Sequence, residues 1–303
     1  MTSSLPETLQ VRPATEADAT ALAELFSRVE LDLRGRTTTS ADDFLTWFRY
    51  VDLPTGSWLV HDGDDLVAAA VLVRHGEVPQ FSAVVRPDRR GEGLGTALVE
   101  LGEEAARAGG ATAMRAGAPA EDVRAAELLT SRGYHDARHY FTMFISLDRE
   151  TPEPAPADGI TLGTFELHEA EAFHAALNEA FADEWGWSAM PYDEWRKLRL
   201  DAPDFDPTMW FVAREGDELG AVARCEELFG GGYVGAIGVR PAWRRRGLAL
   251  ALLHYAFAEF RKRGAPHVKL DVDSENPTGA TKLYERAGMS VESEDVVFER
   301  ELA

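Results

Sequence analysis

The strongest constraint on the fold of this 303-residue chain is that one strand–turn–helix sequence occurs in it twice. The first copy reads FSAVVRPDRRGEGLGTALVELGEEAARAGG from Phe81 to Gly110, and the second reads VGAIGVRPAWRRRGLALALLHYAFAEFRKRGA from Val234 to Ala265. Val85 aligns with Val239 and Gly95 with Ala249 at one constant offset of about half the chain, which marks a duplicated domain rather than a solenoid of short repeats. Two cores are therefore required, in line with a prior of roughly 150 residues per domain. The segment DRETPEPAPADG, Asp148 to Gly159, gathers prolines, small residues and acids between two strand-like runs, as inter-domain linkers do. The expected division is a first domain at 1–148, a linker at 149–159 and a second domain at 160–303.

Each half has the same order of elements. In the first, a strand at Leu9 to Ala14 leads to amphipathic helices near Glu16 to Val29 and Ala41 to Tyr50. Strand-like runs follow at Trp58 to His61, Leu66 to Arg74 and Val78 to Val85, and then a long helix from about Gly93 to Ala108. A short strand, a helix ending near Arg132 and a strand pair around Tyr140 to Leu147 close the unit. The second half predicts strands near Ile160, Trp210, Ala221, Val234 and Val268, with helices near Glu169 to Ala182, Tyr192 to Leu200, Leu248 to Arg263 and Thr278 to Arg286. A strand-rich front followed by strand–helix alternation predicts an α/β fold, a mixed and mostly antiparallel sheet flanked by helices.

A formal net charge of −21 disfavours nucleic acid as a partner, because a phosphate polymer would be repelled. The dense basic runs are local: Arg86, Arg89 and Arg90 in one half, Arg240, Arg244, Arg245 and Arg246 in the other. That distribution suits a small polyanion. The single Cys225 allows neither an internal disulfide nor a cysteine metal cage, and no metal is expected. It fits a reducing compartment, so the cytoplasm is the expected location. The N-terminus shows no cationic start followed by an apolar run, and no stretch approaches the roughly 18 apolar residues of a membrane span. A monomer or homodimer is expected.

The repeated turn itself points to chemistry. An apolar strand ends in Val-Arg-Pro, and an arginine-rich turn then opens a helix through Arg90, Gly93 and Gly95 in one copy and Arg244, Gly247 and Ala249 in the other. Small residues admit close backbone approach, while free N–H groups and the positive dipole end of a helix attract a pyrophosphate. The arginines add charge-assisted hydrogen bonds. The spacing differs from the Gly-x-Gly-x-x-Gly turn of dinucleotide folds.

On these motifs both halves resemble the GNAT superfamily of N-acetyltransferases, so two tandem acyl-CoA N-acyltransferase folds are expected, with acetyl-CoA as the cofactor. The resemblance implies cofactor contacts at Ile237, Gly238, Val239, Arg244, Arg245, Arg246, Gly247, Leu248, Ala249 and Asn276. In the first copy it implies them at Val84, Val85, Arg90, Gly91, Gly93, Gly95 and Thr96. It places Asn276 near the cofactor arm and Tyr284, in LYERAGM, beside the thioester sulfur. A phenol remains protonated at neutral pH and can donate to a leaving thiolate, which makes Tyr284 the expected general acid. Backbone N–H groups at Ile237 to Val239 are expected to polarise the thioester carbonyl. Aligning LLTSRGY with LYERAGM puts Leu129 at the tyrosine position and Glu121 at the asparagine position, so the first domain is expected to be non-catalytic.

Attack on a thioester needs a neutral amine, and Glu226 is named as the base, with Glu227, Asp271 and Asp273 as other acids nearby. Cys225, in an apolar strand, reads as a buried structural thiol. Phe181, Trp185, Trp187, Tyr192, Trp195 and Trp210 form an aromatic group in the region that walls the acceptor pocket in the superfamily, with Asp183 and Glu184 available to hold a cationic amine. The expected activity is acetyl transfer to a primary amine of a small molecule by direct attack in a ternary complex. The two-domain arrangement is also similar to mycothiol synthases, which acetylate a cysteinyl amine, although the acid that those proteins carry on the fourth strand falls here at Tyr233. A non-catalytic acyl-CoA-binding sensor is the other alternative.

Overall fold

The computed structural model describes residues 8–148, 150–276 and 278–302. Residues 1–7, which carry part of the N-terminal reading, and Arg149, where the expected linker begins, lie outside them. Among the described residues no helix is long and apolar enough to cross a membrane, and no cluster of three or more His, Cys, Asp or Glu is arranged to hold a metal.

The chain divides into two compact units, one of residues 1–139 with 294–303 and the other of residues 140–293. In the first unit, β1 (Leu9–Arg12) is followed by α1 (Ala19–Arg34), α2 (Ala41–Phe48), α3 (Leu53–Gly56), β2 (Ser57–Asp62), β3 (Asp65–Val73), β4 (Gln80–Val85), α4 (Leu94–Ala108), β5 (Ala113–Pro119) and α5 (Val123–Ser131). β1 to β4 pair antiparallel in sequence order, and β4 then pairs parallel with β5. Strand alternation sorts the faces. Leu59 and Ala69 pack with Leu22, Leu25, Phe44 and Phe48 of α1 and α2. Their neighbours Val60, Ala68 and Ala70 face Leu94 and Leu98 of α4. The apolar run of β3 is thus buried on both sides, as strands covered on two faces are. α1 continues beyond the expected Val29 because nothing interrupts its pattern until Gly35, which takes the left-handed conformation (φ 68°) that closes a helix.

The second unit repeats the order. β6 (His135–Ser146) enters it at Tyr140, followed by β7 (Ile160–Thr164), α6 (Ala170–Phe181), α7 (Tyr192–Arg199), β8 (Trp210–Glu215), β9 (Glu218–Leu228), β10 (Gly231–Val239), α8 (Leu248–Lys262), β11 (His267–Asp273), α9 (Ala280–Arg286) and β12 (Ser290–Glu301). β7 to β10 are antiparallel, β10 and β11 are parallel, and β11 pairs antiparallel with residues 140–146 of β6. Phe173, Phe211, Phe257 and Phe260 are fully buried in its core, each contributing about 1.5–3 kcal/mol of burial energy.

Contacts thus divide the chain differently from the Pro-rich segment. No strand pair near Tyr140 to Leu147 closes the first unit. Its last strand is the end of the chain: residues 295–301 of β12 pair with β5, and Val296, Phe298 and Leu302 enter its core. Glu103, buried on α4, accepts from Arg300 at 2.8 Å and from Tyr134 at 3.2 Å, fastening that strand in place. The second unit takes its equivalent edge from β6, where Met143 is buried against β11.

Candidate active site

The second unit contains a cleft of about 1070 Å³, at the upper end of the roughly 300–1,000 Å³ usual for ligand sites. Strand geometry opens it. β10 and β11 pair only at Gly232↔Val268 and Tyr233↔Lys269. A register shift between Val234 and Ala236 then bends β10 away, as bulges do. Gly235 within the shift leaves room for the Arg224 guanidinium, 2.5 Å from where a Cβ would stand. Past Tyr233, backbone groups of β10 that point away from β9 face the gap rather than a neighbouring strand. Ile237, Gly238 and Val239 all line it.

The turn after β10 closes one end of the cleft. Gly247 (φ 78°) precedes the first residue of α8, with nothing within 4 Å of the space a Cβ would occupy. Leu248 and Ala249 follow it along the cleft wall. Arg245 also takes a positive φ, 64°. It is exposed and makes no ion pair among the described residues. A left-handed arginine costs about 1–2 kcal/mol, and this one lines the cleft. Arg244 is held by the Val239 and Ala180 carbonyls at 3.3 and 3.2 Å and by Asp183 at 3.2 Å. Arg246 does not line the cleft; it makes two hydrogen bonds to Glu215, at 2.9 and 2.6 Å, which draw that carboxyl down to a pKa of about 2. A helix N-terminus, an open glycine and an unpaired arginine fit a pyrophosphate, and the strand gap fits an extended amide-bearing arm.

Arg245→Gly is expected to leave stability within about 1 kcal/mol of the parent, because relief of left-handed strain offsets the added freedom of the unfolded chain. A charge-assisted hydrogen bond from this guanidinium to a phosphate would be worth about 1.5–3 kcal/mol, so the variant is expected to bind a pyrophosphate ligand at least about tenfold more weakly. Thermal denaturation and calorimetric titration read the two effects separately.

Tyr284 on α9 is buried and lines the cleft. Burial pushes its phenol pKa above the usual value, and the Glu184 charge pushes it the same way. Glu184 accepts both of its hydrogen bonds from the Asn276 amide, at 2.7 and 2.9 Å, while Asn276 Oδ1 accepts from the backbone and hydroxyl of Thr278. These three residues form one polar group.

Of the six aromatic residues in the expected acceptor wall, Phe181, Trp185 and Trp187 line the cleft, with Phe181 and Trp187 stacked at 4.7 Å. Trp195 and Trp210 are buried core residues around Phe173, and Tyr192 stacks on Trp195. α6 can bring Phe181 to the cleft because Gly238 offers no Cβ, which would stand 2.6 Å from Ala180.

Glu226 lies outside the cleft lining, ion-paired with Arg224 at 2.5 Å. Asp271 and Asp273 do line it. Cys225 is buried, and burial raises its thiol pKa, as expected of a structural residue. Tyr233, opposite Glu226 in the β9–β10 ladder, donates to Asp271 at 2.8 Å. That contact is invisible to sequence spacing, since it depends on the parallel register of β10 and β11.

In the first unit Val84 and Val85 likewise lie beyond the last β4–β5 rung, Phe81↔Ala116. Gly91 and Gly93 have φ of 84° and 85°, Gly95 sits in the first turn of α4 with Leu128 3.0 Å from a would-be Cβ, and Thr96 follows it. All three arginines of this turn are ion-paired, whereas in the second unit Arg244 and Arg246 are paired and Arg245 makes no ion pair among the described residues. Arg86 pairs with Asp88 and Asp65, Arg89 with Glu92 and Asp62, and Arg90 with Asp32 at 2.6 Å and Asp122 at 3.9 Å. Leu129 is buried in the core.

A parallel strand pair that parts beside a glycine-started helix, built twice in one chain, defines the acyl-CoA N-acyltransferase class of fold. The chain belongs to the acetyltransferase (GNAT) family, whose model matches residues 20–134 and 170–289, and it is an N-acetyltransferase of a family that draws its acetyl group from acetyl-CoA. A mycothiol acetyltransferase of Thermobispora bispora is 34% identical over 250 residues, 80% of this chain and 82% of the relative. The crystal structure of a GCN5-related N-acetyltransferase from Sphaerobacter thermophilus matches with a TM-score of 0.86 at 32% identity, covering 99% of this chain and 97% of that one. A tandem GNAT protein from the clavulanic acid biosynthesis pathway matches at 0.74 with 19% identity over 97% and 99% of the two chains, a likeness of fold alone.

Proposed function

We propose that the second unit moves an acetyl group from acetyl-CoA to the primary amine of a small molecule by direct attack in a ternary complex, and that the first unit is non-catalytic. The observation that carries this reading is the contrast at one aligned position: Tyr284 lines the cleft of the second unit, and Leu129 is core in the first. Bound acetyl-CoA supplies the thioester that is broken. Arg245 and the amide groups around Gly247 hold its pyrophosphate, and the edge of β10 from Val234 to Val239 holds its amide arm. Asn276, whose amide is engaged by Glu184 and Thr278, lines the cleft beside that arm. An N–H of the Ile237–Val239 segment stabilises the carbonyl oxygen as negative charge develops there, and the Tyr284 phenol gives its proton to the departing sulfur.

The polar, acid-bearing side of the cleft supports a cationic small molecule as acceptor. A cysteinyl amine is a second, narrower reading, supported by the mycothiol acetyltransferase relative. Incubation with acetyl-CoA and a panel containing amino sugars, polyamines, amino-acid amides and a cysteinyl glucosaminide, read by acetylated product mass, tests both. Acetylation of at least one amine is expected, and selective acetylation of the cysteinyl compound would favour the narrower reading. A chain that binds acetyl-CoA and acetylates none of them would contradict the proposal.

A further inference from the structure

We propose that Asp271 is the carboxylate that receives the acceptor's ammonium and takes its proton, held for that task by Thr142 and Tyr233 as positioning residues. This rests on the reading of the cleft as an acetyl-transfer site.

Four carboxylates line the cleft: Asp183, Glu184, Asp271 and Asp273. Three are committed to the protein. Asp183 pairs with Arg244 at 3.2 Å. Glu184 accepts from the Asn276 amide nitrogen at both of its oxygens. Asp273 is buried and accepts the Glu275 N–H at 2.8 Å, fixing the turn after β11. Asp271 is exposed to the cleft, and among the described residues no cation pairs with it. Each of its oxygens instead accepts one neutral hydroxyl, Oδ1 from Thr142 at 2.7 Å and Oδ2 from Tyr233 at 2.8 Å.

The surrounding strands explain why the carboxylate is so placed. Thr142 faces Asp271 directly across the β6–β11 ladder. Tyr233 is the last residue of β10 still paired with β11, through Lys269. Asp271 lies two residues further along, where the strands part and the gap begins. The two hydroxyl donors fix the plane of the carboxylate, while each oxygen keeps acceptor capacity for an ammonium. Burial and the Asp271 charge push the Tyr233 phenol well above its usual pKa, so it stays a donor.

The step balances as follows. The ammonium R–NH3+ passes one proton to Asp271, and the freed lone pair forms the C–N bond to the thioester carbonyl as the C–S bond breaks. Tyr284 protonates the sulfur. Nitrogen then sheds its second proton, which restores the Tyr284 phenol, while the proton on Asp271 leaves to solvent. The products are the acetamide, coenzyme A thiol and one released proton.

The test measures product formation by mass for the parent chain, Asp271→Asn and Tyr233→Phe. The amines are glucosamine, spermidine, glycinamide and 2,2,2-trifluoroethylamine, the last largely uncharged at neutral pH. For the basic amines Asp271→Asn is expected to lose at least about 100-fold in kcat/KM, the usual contribution of a positioned base, with KM for acetyl-CoA within about twofold of the parent. For trifluoroethylamine the loss shrinks below about tenfold, because no ammonium needs to be deprotonated. Tyr233→Phe, which removes one of the two holding hydroxyls, gives a smaller loss with the same dependence on amine basicity. Unchanged activity in Asp271→Asn, or an equal loss on every amine, would overturn this assignment and leave the acetyl-transfer reading standing. No turnover of any amine by the parent chain would overturn both.

Discussion

Tyr284→Phe is expected to lower kcat by about 10²–10⁴-fold, the range over which a positioned general acid contributes, while leaving coenzyme A affinity unchanged. The substitution removes one oxygen from a buried ring that packs among the residues of the second core, so the fold and the phosphate turn are kept. Burial and the nearby Glu184 charge both raise the phenol pKa. The phenol is therefore kept protonated in the resting cleft, as the proposed role of general acid requires. Single-turnover measurement with saturating acetyl-CoA isolates this step from binding. Parent-like kcat in the phenylalanine variant would remove the phenol from the chemistry and transfer its role to water or to another cleft residue.

Lys269→Met is expected to cost about 3–5 kcal/mol of stability, the range for breaking a buried ion pair by deleting one partner. Lys269 and Glu292 meet at 2.8 Å with side chains only 7% and 9% exposed. Loss of the ammonium takes this cation away from a carboxylate in a place water scarcely reaches. The double variant Lys269→Met, Glu292→Leu is expected to recover most of that loss, because two apolar side chains carry no desolvation penalty. Urea denaturation of the four members of the cycle measures the coupling. Additive single-variant effects would show that the pair does not stabilise the second unit. The position also matters to the site, since Lys269 faces Tyr233 at the last rung before the cleft opens.

The duplication, the mixed sheet and the two glycine-started helices were legible because they rest on local patterns: apolar alternation, a turn needing positive φ and a helical period. That Tyr284 and Asn276 share one cleft was legible only through the motif around them. The exchanged strands were not. Ser290–Glu301 reads as a strand, but nothing local states that its second half pairs with β5, since the partner lies far back in the chain. Aromatic spacing likewise failed to separate Trp187, which faces the cleft, from Trp195 and Trp210, which fill the core. Arg246 and Glu226 took their places from partners on neighbouring strands, Glu215 and Arg224. Such pairings depend on sheet register, and so does the Tyr233–Asp271 contact.

The claim that one unit of a duplicated fold does the chemistry is tested most directly by thiol release from acetyl-CoA, with an amine the parent acetylates, in Gly247→Asp and in Gly93→Asp. Both glycines start a helix with positive φ, 78° and 85°. The backbone strain added by aspartate, about 1–2 kcal/mol, is therefore matched, and so is the added negative charge. The account predicts that Gly247→Asp loses activity at least about 100-fold, as strain and phosphate repulsion combine, and that Gly93→Asp loses far less. Equal losses in the two variants, or a larger loss in Gly93→Asp, would contradict it.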